Sequence, residues 1–220
     1  MTPEGNLVVE VCGEGKTDVG DIPDPGPPTR GVVPILVHTL CGRPEQMLVK
    51  TRRLMHLQGK TLRQKVWFAK REAHDSKSDA AIFVIDSEAS DRTLPGIRQD
   101  LEDGRDAGLS QFAMAVGVAQ PCIESWLLAD AAAIRRALGL SATPAVPDRP
   151  EELPAPCRDE SQSPKSELAR IAGSTKKELS TEEKDRIATA MNDMRLPRER
   201  CPGGFAPFAD EVENRIRPLF

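Results

Sequence analysis

The sequence predicts an α/β domain built on a parallel sheet, with flanking helices and a helical C-terminal segment. Three observations carry this. Ala80-Ala81-Ile82-Phe83-Val84-Ile85 is a continuous apolar run ending at Asp86, the pattern of a strand buried on both faces. Runs of this kind alternate with helix-period segments over residues 6–140, the arrangement of a parallel α/β sheet. The chain then ends in Phe205, Phe208, Val212, Ile216 and Leu219, one amphipathic helical stripe able to pack back on the sheet.

Leu7-Val8-Val9-Glu10-Val11-Cys12 reads as the first strand, stopped by Gly13. Thr17–Arg30 is a loop with four prolines. Gly31–Leu40 reads as a helix and Gln46–Arg53 as a strand. Leu62, Val66, Ala69 and Ala73 predict a helix over Thr61–Ser76. After the 80–85 strand, Leu94, Ile97 and Leu101 mark a helix ending near Gly104 or Gly108, and Phe112–Val118 reads as a strand. Pro121 then opens a predicted helix through about Leu138, because proline suits a first turn. The expected organisation is an α/β domain over 1–140, a proline-rich linker or irregular loop over 141–163, and a helical extension over 164–220. Within the extension, Ser180 and Glu183 have capping-box spacing, and Ile187, Met191 and Met194 form a stripe.

Composition narrows the function. Charged residues are 29% and hydrophobic ones 39%, ordinary for a globular chain, and the net charge of −4 gives no gross basic footprint. Tyrosine is absent, which excludes a tyrosine nucleophile, and two Trp with six Phe make a base-stacking platform a poor expectation. Five cysteines without a CxxC pair are neither a disulfide framework nor a zinc ribbon, so a reduced, cytoplasmic setting is expected. The N-terminus is polar, and Gly31–Leu40 is far short of the roughly 20 residues of a membrane span, so no membrane partner is expected.

Gly13-Glu14-Gly15-Lys16-Thr17-Asp18 follows the first strand directly. Gly15-Lys16-Thr17 ends like a phosphate loop, but the glycine that such a loop needs five positions earlier is Glu10, and Glu14 would put a carboxylate in the cradle. The other reading makes the acids the point. Glu14 and Asp18 leave the first strand, while Asp86 and Glu88 leave a later one. Both loops belong to the carboxyl edge of a parallel sheet, where sites form. Acids gathered there repel unless a divalent cation compensates, and Mg²⁺ suits carboxylates acting on phosphates. Lys16 would neutralise a substrate phosphate. The plain alternative is that all four are solvated loop acids. On the metal reading the Glu14 and Asp86 side chains, on loops that follow two apolar strands, lie near water and are loosely packed. Glu124, in Pro121-Cys122-Ile123-Glu124-Ser125-Trp126, is either a complement to a helix N-terminus or a further acid near the same edge. His38, His56 and His74 lack metal-ligand spacing, no Gly-x-Ser-x-Gly elbow is present, and Cys201-Pro202-Gly203-Gly204-Phe205 reads as a turn.

In order, these motifs resemble a family. Val11-Cys12-Gly13-Glu14-Gly15-Lys16-Thr17-Asp18 is similar to the Glu-Gly opening of TOPRIM domains, and Ile82–Glu88 stands where that fold has Asp-x-Asp. Pro121–Asp130 resembles the Glu-x-Trp helix of small RloB-like TOPRIM proteins of bacteria. Cys201–Phe208 resembles a related family often encoded beside ABC-type ATPases. The resemblance implies a TOPRIM-like Rossmannoid sheet. It implies a nuclease that uses Mg²⁺ or Mn²⁺ to cleave DNA or RNA, with a role in bacterial defence. Glu14, Lys16 and Asp86 would be catalytic, and Glu14, Asp18, Asp86, Glu88 and Glu124 would be metal-binding. Nucleic acid, an ATPase and a second copy of the chain are the implied partners. Here the second acid of Asp-x-Asp is Glu88, one methylene longer, and Pro23–Pro34 lengthens the first loop. The alternative is a non-catalytic TOPRIM module that binds or regulates a partner ATPase.

Overall fold

Four strands form one sheet in the order β2-β1-β3-β4: β1 (Leu7–Gly13), β2 (Met47–Arg53), β3 (Ala80–Asp86) and β4 (Ala113–Ala119), all parallel. The computed structural model describes residues 6–15, 31–42, 44–53, 57–87, 93–174 and 178–220. Among them the predicted strands and the helices α1 (Val32–Cys41), α2 (Leu62–Asp75) and α3 (Leu94–Asp106) alternate as the sequence implies. The fold is therefore α/β, Rossmann-like, with a helical C-terminal segment. The proline-rich loop expected over Thr17–Arg30 lies wholly outside the described residues.

The period-2 alternation of each strand sends its side chains to two separate cores. Val9, Val11, Ile82 and Val84 join α1 and the C-terminal helices. Cys12, Phe83 and Ile85 join Val66 and Ala69 of α2 and Ile97 and Leu101 of α3. Each fully buried aliphatic side chain contributes roughly 1.5–3 kcal/mol. The covering of both faces is why strands β1 and β3 are apolar almost throughout. Local signals fix the helix starts. Thr61 and Gln64 form a capping box on α2, and Ser180 and Glu183 form one on α7 (Thr181–Ala190).

The helix predicted over 121–138 is two helices. Gln120–Pro121 is a cis peptide, and the first short helix, α4, spans Glu124–Leu128. The second, α5, spans Ala131–Leu138. The break falls at Asp130, whose carboxylate accepts from the Ala133 N–H at 2.8 Å and caps α5. Intrahelical Asp competes for backbone donors, which makes it a better cap than an interior residue.

The stretch 141–163 is irregular with two short 3₁₀ turns, Pro150–Glu152 and Glu160–Gln162. Helices α6 (Pro164–Ile171), α7, α8 (Arg195–Arg200) and α9 (Phe205–Arg215) follow. The predicted terminal stripe packs on β4. Phe208 lies so close to Gly117 that a Cβ there would come within 2.6 Å of its ring. Trp126 stacks on Phe208 at 5.1 Å between centroids and meets Phe205 edge-on at 5.3 Å. Leu219, the last member of the stripe, is largely exposed. Of the methionine stripe, Ile187 and Met191 are buried, though α7 ends at Ala190. Among the described residues no helix is long and apolar enough to cross a membrane.

Candidate functional site

The strand order sets where a site forms. The chain leaves β1 for β2 on one side, with α1 on one face of the sheet. It then crosses back to β3 and β4, with α2 and α3 on the other face. The strand order therefore reverses between β1 and β3, and the carboxyl ends of strands at such a point are where open α/β sheets bind ligands. Register puts two of the expected acids there. Cys12 pairs with Phe83, and that register carried on would set Glu14, one residue past the end of β1, beside Ile85, the residue before Asp86 at the end of β3. Arg53 pairs with Gly13 on the far side of β1 and brings a cation to the same edge.

The two acids differ in setting. Glu14 is exposed at the mouth of the β1 loop. Asp86 is not the loosely packed side chain expected from its place at a strand end. It is only 9% exposed, and its Oδ1 accepts from the Ile123 N–H at 3.0 Å. The cause is the turn after β4, which folds residues 121–123 back across the end of β3. Asp86 thereby holds the entry to α4. Lys16, Asp18 and Glu88 lie outside the described residues.

Glu124 has another role. It is 2% exposed, and Lys184 Nζ of α7 lies 2.6 Å from its Oε1. Burial pushes the Glu124 carboxyl up, but the Lys184 ammonium, with Lys165 beyond it, outweighs burial and holds it below the ordinary carboxylate range. The expected fifth metal acid is thus a structural one, tying α4 to α7. Cys201, read as part of a turn, is buried, and burial pushes its thiol far up, away from a nucleophilic thiolate.

Two buried acids escaped the sequence reading. Glu10, inside β1, takes Arg52 Nε at 2.5 Å and the Ser76 hydroxyl at 3.0 Å, and Arg52 continues to Glu72 at 2.8 Å. This network joins β1, β2 and α2. Its signal was a lone acid in an apolar central strand beside a basic one. Glu151, in the proline-rich stretch, accepts from the backbone N–H groups of Gly203, Gly204 and Phe205 at 2.7, 2.6 and 3.3 Å. Burial nevertheless leaves its carboxyl raised. This contact stands where a linker was an option, and it pins 150–152 to the start of α9. No local pattern announces it, because its partners are backbone groups some fifty residues away.

A cleft of about 440 Å³ opens beside Asp86, between Ser87, the Gln120–Pro121 turn and the 151–158 segment. Among the described residues, no three His, Cys, Asp or Glu side chains gather into a cation cage. Mg²⁺ is the cation that the sequence implied for Glu14 and Asp86. That ion keeps several waters and binds through one or two carboxylates plus substrate phosphate oxygens. Comparison of the chain with known protein families, with curated proteins and with solved structures gives no match. Function is accordingly argued from the fold and the chemistry of the edge.

Proposed function

We propose that the chain is a divalent-metal-dependent phosphodiester hydrolase of the TOPRIM type, acting on DNA or RNA. What supports this is that Glu14, one residue past β1, and Asp86, the last residue of β3, both lie at the carboxyl ends of adjacent parallel strands, at the point where the strand order reverses. Open α/β sheets bind ligands at that point. Two carboxylates there have no substrate-polarising power of their own. A bound Mg²⁺ or Mn²⁺ would supply an activated water and charge stabilisation at the phosphoryl oxygens.

The chain's own residues do the rest. The Ile123 N–H fixes one oxygen of Asp86 and so the plane of its carboxylate. Glu14 supplies the second carboxylate from the exposed β1 loop. Lys16, two residues on, is the proposed phosphate cation. The defence role and the ATPase partner follow from the resemblance to RloB-like proteins alone.

The test is cleavage by the pure protein. Activity on nucleic acid is expected to need Mg²⁺ or Mn²⁺ and to vanish in EDTA. Glu14→Gln and Asp86→Asn keep size and hydrogen bonding but remove charge. Each is expected to lower the cleavage rate about 10²–10³-fold, the usual loss for one electrostatic group at a developing charge. EDTA-insensitive cleavage would overturn the reading. Metal binding without cleavage of any DNA or RNA would make the edge a regulatory surface for a partner ATPase.

A further inference from the structure

We propose that the cleft beside Asp86 seats one unpaired nucleotide of the strand on which the edge acids act. The proposal rests on the hydrolase reading, which it deepens by assigning a single-stranded substrate. Position comes first. Ser87 follows Asp86 directly, and Gln120 and Pro121 follow Ala119, the residue paired with Asp86. The cleft thus begins one residue from a proposed catalytic acid. At about 440 Å³ it has small-ligand dimensions, room for a nucleotide and too little for a duplex.

The lining fits that occupant. Leu94, Pro121, Leu153 and Pro154 offer apolar walls to the faces of a base. Gln120 offers a carboxamide to a base edge. The Ser87 hydroxyl is held toward the Pro121 carbonyl at 3.5 Å. Charge completes the match. The two acids at the cleft are already answered, Glu151 by three backbone N–H groups and Glu152 by Arg149 at 2.9 Å. Arg158 is exposed on the same wall and makes no ion pair among the described residues. Its guanidinium is placed for a phosphate, which it can hold through paired N–H donors. No aromatic ring lines the cleft, so grip comes from enclosure and charge rather than from a stacking platform.

The test uses the full chain and fluorescein-labelled 12-mers of oligo-dT and oligo-U, with a duplex of the same length. Binding is read by anisotropy in EDTA and cleavage in Mg²⁺. Arg158→Ala is expected to weaken single-strand binding about tenfold and to flatten its salt dependence by about one counterion. Ala155→Trp, which fills the cleft, is expected to weaken it at least as much while sparing any duplex binding. Arg170→Ala, an exposed arginine paired with Glu167 and outside the cleft lining, is expected to change nothing.

Equal affinities for wild type and both cleft variants would overturn the proposal, as would a wild type that binds neither oligonucleotide. Arg158→Ala replaces an exposed side chain, so the result survives even if Ala155→Trp fails to fold. The two readings separate cleanly. Wild-type cleavage untouched by the cleft variants removes the nucleotide seat and keeps the hydrolase. Arg158-dependent binding by a protein that cleaves nothing in any divalent metal keeps the seat and removes the hydrolase.

Discussion

Two regions of the molecule hold carboxylates in opposite ways. Where the helices after β4 pack together, Glu124 and Glu151 are buried and paired, one with an ammonium at 2.6 Å, the other with three backbone N–H groups. At the carboxyl edge of the sheet, Glu14 is exposed, and Asp86 accepts from a backbone N–H at the end of β3. The difference teaches how to tell a structural acid from a candidate catalytic one. Position near a strand end does not decide it, since Glu124 is one residue from Ile123, which bonds Asp86. What marks Glu124 and Glu151 as structural acids is that their partners, an ammonium and three backbone N–H groups, tie together distant parts of the chain.

The comparison breaks most severely if Lys184 is removed. Lys184→Met leaves Glu124 buried without its cation, which costs about 3–5 kcal/mol for a broken buried pair. Glu124→Gln added to Lys184→Met should recover most of that, as the uncompensated charge disappears. Denaturant unfolding at neutral pH measures both. The pH response gives an independent check. In the wild type the folded Glu124 carboxyl lies below its ordinary range, so its contribution is complete above that range and is lost as pH falls through the folded value. In Lys184→Met burial dominates and lifts the carboxyl, so stability should instead fall as pH rises. A Lys184→Met protein as stable as wild type would return Glu124 to the group of edge acids.

The second of these buried acids should matter less. Glu151→Ala orphans the N–H groups of Gly203, Gly204 and Phe205 at the entry to α9, at a cost of about 1–3 kcal/mol. Hydrogen exchange should locate the loss at the start of α9. Unchanged protection there would mean that water replaces the carboxylate without penalty.

The parts of this molecule that could be read from the sequence are those where one side chain's role depends on its neighbours in the chain. The two-faced burial of β3 shows as an uninterrupted apolar run, and the edge acids follow because such strands end where polar residues begin. The capping boxes at Thr61 and Ser180 are local by nature. The misread helix over 121–138 carried its own correction, since Asp130 is a better cap than an interior residue. Pairings over long sequence distances left thinner traces. Lys184 falls on the same helical face as Ile187 and Ala188, both fully buried, and a lysine among buried residues implies an acid to meet it. The sequence could not say that the acid was Glu124, sixty residues earlier. Glu151 left no trace, because backbone donors carry no side-chain signature.

The smallest effect separates the two edge acids from each other. Glu14 stands exposed on a loop, so Glu14→Ala should leave stability within about 0.5 kcal/mol of wild type in EDTA, as for most surface substitutions. Asp86→Ala should cost about 1–3 kcal/mol under the same conditions, because the Ile123 N–H loses a buried acceptor. Asp86→Asn, whose side chain keeps an oxygen for that N–H, should fall between the two. The catalytic prediction makes Glu14→Gln and Asp86→Asn equally damaging to cleavage, so the pair should be alike in activity and unlike in stability. Melting curves in EDTA beside a Mg²⁺ cleavage assay read both quantities on the same preparations. If Glu14→Ala proves as destabilising as Asp86→Ala, Glu14 belongs with Glu124 and Glu151 among the acids that hold the fold, and the edge loses the first of its proposed ligands.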